Sequence, residues 1–301
     1  VFVGLAFTGL AATIAVRNYR AARNEFEADP PSRLLDAPQS TGIAAIQSVS
    51  IESPDGFDLS AWYAASTNRA AVVVVHGTNS DRASMLAEIR LLARDGYGVL
   101  AFDWPGLGRS GGHVRWDGQA RRALTAAIDW VSRRPDVDPA RIGGLGFSMG
   151  AYVMAQVAAA DSRLRAVVLE APPSDFTEYI RLHNTKWGPL GEWPAAWAFR
   201  GTGLLDQAVA PVNLVKQIAP RPVLFLGGSA DREISPQMVM KLYALACAPK
   251  AIWIVPGAHH GDYSLVAAGE YERRLSDFYA RELGSLPRSN IQPPGAGCMA
   301  H

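Results

Sequence analysis

The pentapeptide Gly146-Phe147-Ser148-Met149-Gly150 constrains what this chain can fold into more than any other stretch. It follows RIGGLGF, an apolar run of strand type, and opens MGAYVMAQVAA, a small-residue run of helix type. A chain that passes from strand to helix so quickly must turn sharply. Gly146 and Gly150 leave room where larger side chains would crowd that turn. Ser148 then sits at the amino end of a helix, where negative charge is favoured. This is the setting of a nucleophile elbow. The plainer reading is a strand-to-helix turn with Ser148 as its cap.

The surrounding sequence supplies the rest of a sheet. Ala71 to His76 (AVVVVH) is a continuous branched run, as expected of a strand buried on both faces. Gly98–Asp103, Arg141–Phe147, Arg165–Glu170, Pro222–Gly227 and Ala251–Val255 read as further strands. Asp81–Asp95, Asp117–Arg134, Met149–Ala160 and Tyr263–Leu283 read as helices, with Leu124, Ile128 and Val131 at core spacing. Strands joined by helical crossovers make a mostly parallel sheet covered on both faces. Ala45–Ile51 and Leu59–Ala64, around Pro54-Asp55-Gly56, read as an antiparallel hairpin ahead of it. At 301 residues and 49% hydrophobic, the chain can bury one large core, placed over residues 45–284. The alternation stops between Pro172 and Pro220. That stretch reads as an inserted cap, about residues 173–215, carrying Trp187, Trp193 and Trp197.

The two ends differ from this body. Residues 1–16 carry no charge, and Arg17, Arg20 and Arg23 follow. The run is shorter than the roughly 20 apolar residues of a membrane span. It reads first as part of a single-pass membrane anchor, which would make the protein membrane-associated with possible membrane contact. The alternatives are a signal remnant or an apolar helix of the folded protein. Residues 17–44 read as a stalk broken by Pro30, Pro31 and Pro38, and residues 285–301 as a flexible tail. A formal net charge of +1, with no basic stripe, gives no reason to expect a nucleic-acid partner. Two cysteines make at most one bridge, not a disulfide framework.

A serine hydroxyl is a weak nucleophile and needs a base held by a third group. After such an elbow the expected order is serine, acid, histidine. Asp231, in GGSADREISP, follows a strand and is the best-placed acid. Asp206 lies in the insertion, and Glu233 serves only if the loop is displaced. AIWIVPGAHHGDYS offers His259 and His260; the neighbours favour His260 as base and leave His259 to the loop. No further ligand cluster supports a metal at this histidine pair. The oxyanion needs fixed donors. The N–H of Met149 is the first candidate and that of Thr78 the second, with Asn79 as runner-up. His76 is read as shaping that loop. In FDWPGLGRSGG, Asp103 is read as holding loop geometry and Trp104 as lining the substrate entrance. Its glycines lack the context of a phosphate loop. Trp187, Trp193 and Trp197 complete the candidate pocket.

Together these residues resemble the α/β-hydrolase superfamily, and within it serine hydrolases of the esterase, lipase and serine-aminopeptidase type. The resemblance spans about residues 45–284. It rests on HGTNSDR, LLARDGYGVLAFDWPGLGRSGG, GFSMG, GGSADREISP and PGAHHGD. It implies an α/β-hydrolase fold, a mostly parallel central sheet with helices on both faces and a short inserted cap. It also implies Ser148 as nucleophile, Asp231 as acid and His260 as base, since the family histidine usually follows Gly-Ala-x and precedes Gly. The oxyanion loop has the short His-Gly form. Serine at the elbow, rather than Asp or Cys, points away from haloalkane dehalogenases, epoxide hydrolases and dienelactone hydrolases. The implied reaction is hydrolysis of a small-molecule carboxylic ester, of small or medium acyl group, through an acyl-enzyme and without metal or organic cofactor. A thioesterase or an aminopeptidase would use the same triad, and Glu178 or Glu192 would then be candidates to hold a substrate amine. A non-catalytic binding protein on the same fold is the alternative of another class.

Overall fold

The structure is a computed structural model that describes residues 12–20, 41–43, 46–184, 188–200 and 202–284. Its strands are β1 (Ile46–Glu52), β2 (Asp58–Ala64), β3 (Ala71–Val75), β4 (Gly98–Phe102), β5 (Ile142–Phe147), β6 (Leu164–Glu170), β7 (Val223–Gly228) and β8 (Lys250–Val255). They form one eight-stranded sheet in the order β1-β2-β4-β3-β5-β6-β7-β8. β2 runs antiparallel to both β1 and β4. All other neighbours are parallel. β3 and β4 are buried along their whole length, because helices cover both faces of the sheet. Burying each valine of β3 contributes about 1.5–3 kcal/mol relative to leaving it exposed.

The helices are α1 (12–20), α2 (Leu86–Arg94), α3 (Gly118–Ser132), α4 (Met149–Ala160), α5 (Phe176–Asn184), α6 (Pro189–Ala198), α7 (Pro211–Leu214), α8 (Pro236–Leu245), α9 (Tyr263–Val266) and α10 (Ala268–Leu283). With the sheet they make the α/β-hydrolase fold. Two helices differ from the sequence reading. The one expected at Asp81–Asp95 begins as a 3-10 turn, Arg82–Met85, capped by the Asp81 carboxylate accepting from Ala83 N–H at 2.8 Å. The one expected at Tyr263–Leu283 breaks at Ala267, whose φ −138° and ψ 44° leave the helical region. The stretch between β6 and β7 carries α5, α6 and α7. Phe176 of this stretch packs edge-on against Tyr152 of α4 and Phe199, with ring centroids 5.2 and 5.7 Å away.

The expectation of a single-pass anchor, and with it a membrane-associated protein, is corrected. Among the described residues no helix is long and apolar enough to cross a membrane. Residues 1–11 lie outside the described residues. Residues 12–20 form α1, which contains Arg17 and Arg20. Its Ile14 is buried, and its Tyr19 ring lies 4.9 Å from that of Trp197 on α6. This helix is held by the folded protein. Most of the expected stalk (21–40, 44 and 45) and the tail from 285 onward also lie outside the described residues.

One buried cluster ties three elements together. Glu88 of α2 and Glu170 at the end of β6 each place an Oε1 atom 2.7 Å from the hydroxyl of Tyr271 on α10. All three side chains are buried. Among the described residues neither carboxyl has a cationic partner. Burial raises the pKa of both, and the charge of Glu88 adds to the effect on Glu170. A phenol donates one proton, so the second contact requires a carboxyl that keeps its own. The folded state therefore holds a proton that the unfolded chain releases in the ordinary carboxylate range. Stability falls as pH rises from that range, about 4.3, toward the raised folded value. Glu170→Gln retains a donor without needing the proton. Its Tm is expected to fall less steeply than the wild type's above about pH 5. Parallel slopes in calorimetry across that range would remove this cluster as the cause.

Candidate active site

β5 ends at Phe147, and Ser148 takes φ 53° and ψ −119° before α4 begins at Met149. A positive φ is unusual for serine and persists only where the surroundings enforce it. Here the Ser148 N–H donates to the carbonyl of Glu170 on the neighbouring strand at 2.8 Å. Its own carbonyl accepts from Tyr152 N–H at 3.0 Å, the first turn of α4. Close packing requires the flanking glycine. A Cβ on Gly150 would lie 2.5 Å from the carbonyl oxygens of both Val75 and His76. The chain after β3 also comes close, since a Cβ on Gly77 would stand 3.1 Å from Ser148 Cβ. That puts the His76–Ser80 loop beside the serine.

Asp231 sits on the loop after β7, and His260 on the loop after β8. β7 and β8 are parallel neighbours, so both loops leave the same edge as the β5 turn. His260 Nδ1–H donates to Asp231 Oδ2 at 2.8 Å. Ser148 Oγ–H donates to His260 Nε2 at 3.1 Å. The Asp231 side chain is wholly buried. Its other oxygen accepts the N–H groups of Glu233 and Ile234 at 2.8 and 2.9 Å, which fix the carboxylate's orientation. The bond to Asp231 sets the imidazole tautomer and leaves the Nε2 lone pair toward the serine. The Phe147 ring packs against the imidazole with centroids 4.7 Å apart.

The remaining sequence candidates fall in different places. His259 is exposed, and its N–H donates to Asp262 Oδ1 at 2.7 Å. Glu233 faces the other imidazole nitrogen: its Oε2 lies 3.7 Å from Nε2, so it does not stand where an orienting acid would. Asp206 caps its own loop by accepting from Ala208 N–H. His76 is fully buried, which lowers its pKa to about 4 and keeps it neutral. Its Nδ1–H donates to the Gly77 carbonyl at 2.7 Å, and its Nε2 accepts from Trp104 N–H at 3.3 Å. Asp103 is buried against the Arg82 guanidinium and accepts the N–H groups of Arg82 and Arg109 at 2.8 and 2.9 Å. It thereby joins the turn before α2 to the glycine-rich loop.

Met149 supplies the first amide of α4, a position with no acceptor inside its own helix. Thr78 is half-buried one residue beyond Gly77. Of the aromatic pocket candidates, Trp104 lies elsewhere than expected. Trp104 is only 1% exposed, and its indole N–H donates to the His76 carbonyl at 2.8 Å. It supports the loop from below and does not line an entrance. Trp193 and Trp197 of α6 are 77% and 59% exposed, and the Trp197 ring meets Tyr19 of α1. Trp187 lies outside the described residues. Glu178 is already held, accepting from Ser174 Oγ at 2.8 Å and Lys241 Nζ at 2.7 Å. Three neighbours of the site escaped the sequence reading: Phe147, Glu170 and the facing of Glu233. For Glu170 a signal existed, an acidic residue closing an otherwise apolar strand, AVVLE.

Comparison with known proteins agrees with this architecture. A family model described as X-Pro dipeptidyl-peptidase (S15 family) matches residues 57–197, a stretch that holds Ser148 and ends before Asp231 and His260. The uncharacterized protein Rv2307c of Mycobacterium tuberculosis is 33% identical over 231 residues, covering 75% of this chain and 76% of its own. YfhR of Escherichia coli is 28% identical over 242 residues, covering 77% and 80%. The solved structure of the Pyrococcus furiosus esterase Pf2001 has a TM-score of 0.71 at 24% identity, covering 85% of this chain and 100% of its own. A puromycin-hydrolyzing peptidase of Mycobacterium tuberculosis has a TM-score of 0.65 at 18% identity, covering 85% and 42%. At these identities the two structures show the fold.

Proposed function

The chain belongs to the serine hydrolases of the α/β-hydrolase fold, and from that premise we propose that Ser148, His260 and Asp231 hydrolyse a carboxylic ester of small or medium acyl group. The observation that carries this reading is the unbroken hydrogen-bond line from Ser148 Oγ through the imidazole to Asp231.

The roles follow from the geometry. His260 Nε2 takes the serine proton as Oγ bonds to the substrate carbonyl carbon. The carbonyl oxygen becomes negative and is held by the N–H groups of Met149 and Thr78. Asp231 keeps the imidazole in the tautomer that offers Nε2 and stabilises the imidazolium once it forms. The tetrahedral intermediate collapses as the bond to the leaving alkoxide breaks, and His260 returns the proton to it. A water molecule then gives its proton to the same nitrogen and attacks the acyl-serine. Collapse releases the acid and restores Ser148.

An ester asks nothing more of the site. An amide of an aminoacyl group would also need a carboxylate for the substrate amine; of the two cap candidates, Glu178 is engaged by Lys241, while Glu192 is half-buried on α6. The test is a fluorophosphonate probe on wild type and Ser148→Ala, followed by p-nitrophenyl acetate and butyrate, acyl-CoA thioesters and aminoacyl amides. Labelling confined to the wild type, with the highest kcat/KM on the esters, is the expected result. Higher kcat/KM on amides or thioesters would replace the ester assignment. Absence of labelling in both proteins would favour a binding protein on this fold.

A further inference from the structure

Glu233 has a position that the triad does not use. Its Oε2 stands 3.7 Å from His260 Nε2, the same nitrogen that accepts from Ser148 Oγ. Nε2 is the atom that returns a proton to the departing group. The carboxylate therefore stands beside the path by which that group leaves. Its side chain is 66% exposed, so it meets whatever occupies this side of the site. Among the described residues it has no lysine or arginine partner, and the preceding Arg232 is exposed and forms no ion pair with it. Its backbone is nonetheless fixed, because the Glu233 N–H donates to Asp231 Oδ1 at 2.8 Å. A negative charge is thus held on a rigid loop, unneutralised, next to the leaving-group position.

We propose that Glu233 is a specificity-determining residue that favours esters whose leaving alcohol carries a fixed positive charge, such as a quaternary ammonium group. The inference rests on the triad reading above and adds the leaving-group chemistry to it. A cation on the alcohol is attracted by the carboxylate in the Michaelis complex and again as the alkoxide departs. An anionic leaving group meets repulsion at the same place. The pair is partly solvated, so the gain is modest and depends on salt.

The experiment uses two acetate esters of the same shape. One has a 2-(trimethylammonio)ethyl alcohol and the other its uncharged 3,3-dimethylbutyl isostere. At low ionic strength the wild type is expected to favour the cationic ester by about five-fold in kcat/KM, mostly through KM. Glu233→Gln is expected to abolish that preference and leave the neutral ester within about two-fold. Glu233→Lys is expected to invert it. At about 1 M salt, where the Debye length is about 3 Å, the wild-type preference is expected to shrink. A preference that survives Glu233→Gln overturns the proposal. So does an equal fall in kcat for both esters, which would make Glu233 a positioning residue for His260. Neutral-ester turnover by the wild type that is lost in Ser148→Ala tests the triad separately. A wild type that takes the fluorophosphonate label but turns over neither ester keeps the triad and overturns the leaving-group proposal.

Discussion

Ser148→Ala is expected to lower kcat on the best ester by on the order of 10⁶, with no burst of released alcohol. The size follows from what is removed. Oγ is the atom that bonds to the carbonyl carbon, and alanine offers nothing in its place. The remaining donors can still bind the carbonyl, so some acceleration over water persists. The fold is expected to survive, with Tm within a few degrees. The main-chain bonds that impose φ 53°, from Ser148 N–H to Glu170 and from Tyr152 N–H to Ser148, do not involve the side chain. Alanine keeps the Cβ that packs beside Gly77. Pre-steady-state kinetics and a thermal melt measure the two effects separately. A variant that keeps activity within ten-fold would displace Ser148 from its assignment.

His260→Ala is expected to cost a similar factor, and His259→Ala less than about three-fold. The two residues are neighbours of the same chemical type, yet only one ring touches both Oγ and the buried carboxylate. His259 spends its N–H on Asp262 and turns its side chain to solvent. Serine and histidine act as one unit, so the double variant Ser148→Ala/His260→Ala is expected to be no worse than either single one. Adding the two losses would require each residue to act without the other. A ratio of the single variants that runs the other way moves the base to His259.

The legible part of this molecule was the part written in local pattern. Branched runs such as AVVVV and GVLAF can be satisfied only between two layers, so β3 and β4 were visible before any fold was known. The elbow was visible because its glycines answer a crowding that any sharp strand-to-helix turn creates. What was not visible depends on direction or distance. A tryptophan after a strand can face out or in; Trp104 faces in because the His76 carbonyl needs a donor. The break at Ala267 interrupts a stretch that mostly suits a helix, and its one local sign, Gly269, stands two positions beyond it. The facing of Glu233 depends on the course of the Asp231 loop. An apolar start followed by arginines suggested an anchor, but whether such a helix leaves the protein or lies on it is decided by partners far along the chain, here Trp197.

The cluster of Glu88, Tyr271 and Glu170 sets an order on the making of this enzyme. Its members are 183 and 101 positions from Tyr271 in the chain. A nascent polypeptide reaches the ribosome exit with Glu88 and Glu170 long before Tyr271. Until then two carboxyls destined for the interior have no phenol to share, and water remains their better solvent. The carbonyl that steadies Ser148 belongs to Glu170, so the serine turn gains its final support only when α10 docks. Nascent chains stalled with His260 clear of the exit tunnel and α10 still inside it are therefore expected to resist a serine-directed probe and to yield readily to protease. Chains stalled far enough beyond Leu283 for α10 to clear the exit tunnel are expected to do the reverse. In such a design the serine turn takes its final form with the docking of α10, through the Glu170 that both the turn and Tyr271 share.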